Sequence, residues 1–210
     1  MTWSRLLLVA MALVAAWLGH GIYQDARVDK GRLTVTQAGD AVVLTWAAGV
    51  DIPMVTRFTE AFDAWKGRTG HFVIRLHSPG GSLREGRELI ELIQQVKRSH
   101  RVDTLVADGD VCASMCVPIY LQGQSRYAGR RARFMFHQPA RYDSQTDTRI
   151  EGPSFEQRAL SRRFFERYFV NSPITPAWRE QLEKDWVGKD IWKTAEELIQ
   201  EGSGIVTNLR

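Results

Sequence analysis

Two short stretches, Leu33 to Thr36 and Ala41 to Trp46, read as β-strands, and Gly39-Asp40 between them predicts a hairpin turn. From Met54 to Lys66 the spacing changes to that of a helix, with Val55, Phe58, Phe62 and Trp65 on one side and Gly67 and Gly70 closing it. Phe72 to Leu76 is a compact apolar strand. Leu83 to Val96 is an amphipathic helix that turns Leu89, Ile90, Leu92, Ile93 and Val96 inward. Val102 to Ala107 is a further strand, followed by a polar turn and a short helix from about Ser114. Phe134 to Phe136 is a strand leading into His137. Strands alternating with helices predict parallel βαβ units and an α/β fold. Ala140 to Pro153 is polar and loop-like, and Ser154 to Val170 is a long helix with a Phe and Tyr stripe. Pro176 to Trp186 is another helix, and Thr194 with Glu197 forms a capping box for a last one. Gly202 and Gly204 end that helix, and Ile205-Val206 is expected to return to the sheet.

The N-terminus has a different pattern. Arg5 precedes an uncharged apolar run from Leu6 to Leu18, and the first acid is Asp25. Such a run is short for a membrane span and typical of a secretory hydrophobic region. Its basic flank directs the rest of the chain outward. No clean small-x-small cleavage site follows, so anchor and cleaved signal stay equal alternatives. The expected organisation is a signal anchor or signal peptide over residues 1–24, a tether and first strand over 25–40, and one folded domain over 41–210.

A chain of 210 residues suits one domain with a short appendage. The net charge of +4 comes from scattered Arg and Lys mixed with acids. No basic stripe forms, which argues against a nucleic-acid partner. Cys112 and Cys116 stand apart from any His or Cys cluster, so zinc is not indicated. They either bridge or pack as small residues. Packing is favoured, because a bridge within one helical turn is strained.

Three segments carry candidate chemistry. In Ser78-Pro79-Gly80-Gly81-Ser82, between a strand and a helix, the glycines allow close backbone approach and expose bare N–H groups. It could equally be a plain βα turn. In Cys112-Ala113-Ser114-Met115-Cys116, Pro118 argues that a helix begins near Ser114, because proline is tolerated where helical N–H groups are still unpaired. Ser114 is then either a helix N-cap or a nucleophile in the positive end of the helix field. His137 ends an apolar strand. Ligands of parallel α/β sheets bind where strand ends meet, and Gly81, Ser114 and His137 all occupy such ends. His77, close to the glycine turn, is read as structural.

Ser78-Pro79-Gly80-Gly81, Ala113-Ser114-Met115 and Met135-Phe136-His137-Gln138-Pro139 resemble, in order and separation, three motifs of the Clp protease proteolytic subunit family. Asp190, followed by Thr194-Ala195, Glu197 and Gly202, resembles that family's acidic segment. The similarity runs from about residue 42 to 206. It implies the ClpP/crotonase-like fold, built from repeated βαβ units with a parallel sheet plus C-terminal helices. It also implies a serine peptidase. Ser114 would be the nucleophile, His137 the general base and then acid, and Asp190 the group that orients the imidazole. The N–H groups of Gly81 and Met115 would form the oxyanion hole. Asp185 competes for the acidic role but lacks the right offset from Thr194-Ala195.

Two departures stand out. Asp110 and Cys116 occupy positions where the family has Gly and a small residue. The Asp110 side chain is expected to narrow the cleft or to bring negative charge near the histidine. The leader together with Cys-Ala-Ser-x-Cys points to an exported variant on the periplasmic side of the inner membrane. There the expected partners are polypeptide substrates, the membrane through the N-terminal segment, and further copies of the chain in a homo-oligomer, with the Phe164, Phe165, Tyr168 and Phe169 stripe as interface or core. No ATPase, metal or organic cofactor is expected. The competing readings are a non-catalytic envelope protein on the same fold, which binds peptides or assembles, and a crotonase-type enzyme acting on acyl-CoA thioesters. A serine-lysine dyad is weaker still, because Lys97 is the sole nearby lysine.

Overall fold

In the computed structural model the described residues are 33–140 and 154–210; the leader, the tether before Leu33 and most of the expected polar loop after Ala140 lie outside them. The predicted hairpin opens the fold. Strand β1 (Leu33–Ala38) pairs antiparallel with β2 (Ala41–Trp46) around the Gly39-Asp40 turn, where Gly39 takes a φ of +64°. Helix α1 (Met54–Trp65) then crosses to β3 (His71–Leu76), and α2 (Leu83–Val96) crosses to β4 (Arg101–Val106). Strands β2, β3 and β4 run parallel, as βαβ crossovers require.

Two more segments, β6 (Arg126–Ala128) and β9 (Asn208–Leu209), extend this sheet to the order β1-β2-β3-β4-β6-β9. The core lies between the sheet and its crossover helices. Leu44, Trp46, Phe72, Ile74 and Leu76 meet Met54, Phe58 and Phe62 of α1 and Leu89 and Ile93 of α2, all of them buried. Burying a side chain of that size contributes about 1.5–3 kcal/mol. Trp46, Phe58, Phe62 and Phe72 form a chain of tilted and edge-on rings through this layer.

A second sheet, of three strands in the order β5-β7-β8, sits beside the first. Strand β5 (Val111–Ala113) runs parallel to β7 (Arg133–Phe136), and β8 (Ile191–Thr194) runs antiparallel to β7. A parallel bridge between Ser78 and Cys112 joins the two sheets just beyond the end of β3. Between β5 and β6 lies α3 (Cys116–Tyr120), with every residue buried.

Several expectations change here. Ser114 is not the N-cap of α3, which begins at Cys116 with Met115 before it and no side-chain cap. The last strand is Asn208–Leu209, not Ile205-Val206; those two are buried instead. Buried Arg126 fixes this tail by donating to the carbonyls of Ile205 at 2.7 Å and Gly204 at 2.9 Å. The long helix is α4 (Ser154–Phe165) continued by a π-turn over Glu166–Val170. Its stripe belongs to the core: Phe164, Phe165 and Phe169 are buried and stack on Trp186, which follows α5 (Pro176–Asp185). The capping box on α6 (Ala195–Gln200) forms as expected, with Thr194 and Glu197 bonded in both directions. Among the described residues no helix is long and apolar enough to cross a membrane.

Candidate active site

Ser114 leaves the end of β5 in a left-handed conformation, with a φ of +52°. A non-glycine residue there costs about 1–2 kcal/mol and persists where its surroundings fix it. The Ser114 N–H donates to the Met135 carbonyl of β7 at 2.9 Å, and its own carbonyl accepts from Val117 of α3 at 3.0 Å. One peptide group is thus tied to a strand and the next to a helix. The side chain between them is thrown out at the corner. There its Oγ lies 2.7 Å from His137 Nε2.

His137 follows β7 directly, and Asp190 precedes β8 directly. The His137 Nδ1 lies 3.4 Å from Asp190 Oδ1. With the Nδ1 proton facing that carboxylate, Nε2 is left to accept from the Ser114 hydroxyl. The Gly188 N–H donates to Gln138 Oε1 at 3.2 Å, holding the loop before Asp190 against the residue after His137. His137 is about three-quarters buried, whereas the Asp190 side chain is mostly exposed. Asp185 stands at the end of α5 and accepts from Gln181, away from the histidine.

Across the cleft from Ser114 lies the glycine turn. A Cβ on Gly80 would fall 2.6 Å from Ser114 Cβ and 2.7 Å from the Ala113 carbonyl oxygen, so only glycine permits this approach. Its φ is +93°. Val50, four residues past the end of β2, donates to the Gly80 carbonyl at 2.7 Å and accepts from the Ser82 N–H at 2.8 Å. These two bonds skip Gly81. Neither the Gly81 nor the Met115 N–H donates to an acceptor among the described residues. Met115 is fully buried, its side chain filling the space over Gly86 of α2. The structure therefore brings the hydroxyl, the imidazole and the Gly81 amide to one cleft of about 690 Å³, with the Asp190 carboxylate on the far ring nitrogen and the Met115 amide next in the chain to Ser114.

The family model described as Clp protease matches residues 66–208. The chain belongs to the Clp protease family. Among solved structures, a ClpP1 mutant from Listeria monocytogenes superposes with a TM-score of 0.63 at 19% sequence identity, covering 80% of this chain and 90% of that one. That likeness shows the fold. No curated protein matches the chain in sequence.

Against the Clp family pattern, two local features come out differently from expectation. Cys112 and Cys116 do not pack as separate thiols; their sulfurs are bonded, with Cα atoms 5.2 Å apart. The two cysteines do not share one helical turn: Cys112 lies in β5 and Cys116 opens α3, with the Ser114 corner between. Asp110 neither narrows the cleft nor faces His137. Its carboxylate accepts from Arg75 at 3.0 Å and lies 3.3 Å from His77 Nδ1. His77 also accepts from the Val111 N–H at 3.2 Å, a structural role at the start of β5. The close approach at Gly80 is what the glycine pair predicts, whereas Asp51 goes unnoticed in the sequence, although it follows a strand end, the signal that picks out Gly81.

Proposed function

We propose that this Clp protease family member is a serine peptidase that works through Ser114, His137 and Asp190. The observation that carries this is the 2.7 Å contact between Ser114 Oγ and His137 Nε2, with Asp190 on the far ring nitrogen. Ser114 Oγ attacks the carbonyl carbon of a peptide bond while His137 Nε2 takes its proton. The Gly81 and Met115 N–H groups receive the negative charge that develops on the carbonyl oxygen. The amine departs with the proton held by His137, leaving an ester on Ser114. A water then gives a proton to His137, attacks the ester, and releases the acid as the proton returns to Ser114. Asp190 holds the imidazole in the required tautomer and stabilises its charged form.

The same proposal extends to place and partners. The apolar run Leu6 to Leu18 behind Arg5 and the Cys112–Cys116 bridge both suit an exported protein, because disulfides persist in oxidising compartments. On the periplasmic side of the inner membrane, tethered or released, the enzyme would cut exposed or unfolded polypeptides without an ATP-driven partner. It would do so as a homo-oligomer.

A fluorophosphonate probe tests the chemistry, since it captures an activated serine covalently. The folded protein should be labelled at Ser114, and Ser114→Ala should abolish labelling. Folded oligomer that takes up no probe would favour a peptide-binding protein instead.

A further inference from the structure

Asp51 is the acid of the cleft that the mechanism does not use. It lines the same cavity as Gly81, Ser114 and His137. Its position is fixed from both sides. Val50 before it is fully buried and pinned to the Gly80–Ser82 turn by its two hydrogen bonds. The Asp51 carbonyl accepts from Met54 at 2.8 Å, starting α1. The carboxylate thus hangs one residue from the backbone that pairs with the glycine turn. It leans over Gly49, where a Cβ would fall 2.6 Å from Oδ2. No ion pair reaches it from the described residues. Although the residue is exposed, desolvation where it meets the cleft pushes its carboxyl above the usual range. An exposed carboxylate on the wall of the cleft, without a cation beside it among the described residues, favours a positive guest. The family match begins at residue 66, so Asp51 lies outside the matched span.

We infer that Asp51 sets the substrate preference of this cleft by receiving a positively charged group of the polypeptide close to the bond being cut. That group is a lysine or arginine side chain, or the α-ammonium of a substrate's first residue. The inference rests on the peptidase reading above. A carboxylate placed beside a cleft raises the local concentration of cationic substrate and discriminates against anionic substrate by repulsion.

The test uses the full-length protein and N-acetylated peptides with a single Lys, Arg, Leu or Glu in an otherwise Ala and Gly background, the products read by mass spectrometry. A second, unacetylated set carries positive charge at the N-terminus alone and identifies that source. Cleavage of cationic over Leu peptides should be favoured about tenfold in kcat/KM, with the charge next to the cut bond. Asp51→Asn should bring that ratio to about one, and Asp51→Arg should turn the preference toward Glu. Should a variant fail to fold, the wild-type ratio still decides, because it should shrink as salt rises from about 0.05 to about 0.5 M. Equal cleavage of Lys and Leu peptides, or a ratio untouched by salt or by Asp51→Asn, overturns the inference. Fluorophosphonate labelling of the wild type is followed in parallel. Labelling without a cationic preference removes the role of Asp51 alone, whereas no labelling removes the peptidase reading with it.

Discussion

His137 and Asp190 face each other across an antiparallel ladder, one residue beyond its last rung, where Phe136 stands opposite Ile191. Ser114 overhangs the neighbouring parallel ladder in the same way, one residue past the pair Ala113 and Met135. Three adjacent strands of a small sheet therefore hold the three groups at one end. Strand register, not loop placement, sets their spacing. Asp190→Asn should then lower kcat by about 10⁴-fold while leaving the circular dichroism spectrum unchanged, because the amide favours the wrong imidazole tautomer. Asp185→Asn, at the end of α5, should change kcat less than about twofold. A decrease under about tenfold in Asp190→Asn would remove that residue from the mechanism.

Gly80 and Gly109 separate two effects of glycine. Both have positive φ, +93° and +80°. A Cβ at Gly109 meets nothing within 4 Å, whereas one at Gly80 meets Ser114 Cβ and the Ala113 carbonyl oxygen. Gly109→Ala should lose about 1 kcal/mol of stability from conformation alone. It should keep its reaction with the fluorophosphonate probe. Gly80→Ala should lose more and should abolish labelling, because the Ser114 corner has to shift. Urea unfolding and probe labelling on the same two proteins check both halves; retained labelling in Gly80→Ala would show that the corner tolerates displacement.

Periodicity made the large elements legible. Helices α1 and α2 follow the spacing of Phe58, Phe62, Leu89 and Ile93 almost to the residue, since each buries a stripe on the main sheet. The short strands left no such trace. Strand β6 has three residues and β8 has four, too few for a pattern, and both are fixed by partners distant in sequence. The second sheet was invisible for that reason. Ser114, His137 and Asp190 could be picked out by motif, and they do meet at one sheet end, but it is the end of the small second sheet and not of the main one. The Ser114 conformation was hidden too, because an N-cap and a left-handed corner need the same small polar residue before a helix. Asp110 was misjudged because its partners, Arg75 on β3 and His77 just after it, lie more than thirty residues earlier.

The bridge between Cys112 and Cys116 closes a loop of five residues with Ser114 at its centre. Alkylation under denaturing, non-reducing conditions should modify neither cysteine, and both after reduction. A loop this short stabilises the fold by about 2 kcal/mol on the chain-entropy account. Reduced protein should therefore unfold at lower urea. Its labelling by the probe should also slow, because one tie on each side of the nucleophile is gone. Two alkylated cysteines without reductant would refute the bridge directly.

Asp103 gives the fold a pH dependence of definite sign. Its side chain is fully buried, accepting from Arg101 Nε at 2.9 Å and from the Ser125 N–H at 2.9 Å, with His71 Nε2 also 2.9 Å away. Burial alone would push the carboxyl up, but these hydrogen bonds together outweigh it and hold it below the usual carboxylate range. Its folded pKa is thus depressed relative to the unfolded chain. The stability it contributes is complete above the unfolded value of about 4 and is lost as pH falls through the folded one. Because Asp103 joins His71 of β3 to the turn before β6, the loss loosens the middle of the main sheet. Asp103→Asn should lower stability at neutral pH by about 1–3 kcal/mol, since a neutral amide replaces the buried carboxylate that accepts the charge-assisted hydrogen bonds. The variant should also flatten the fall in unfolding free energy below about pH 4. Parallel slopes for wild type and variant across that acid range would show that the carboxylate is not held in its charged form by these neighbours.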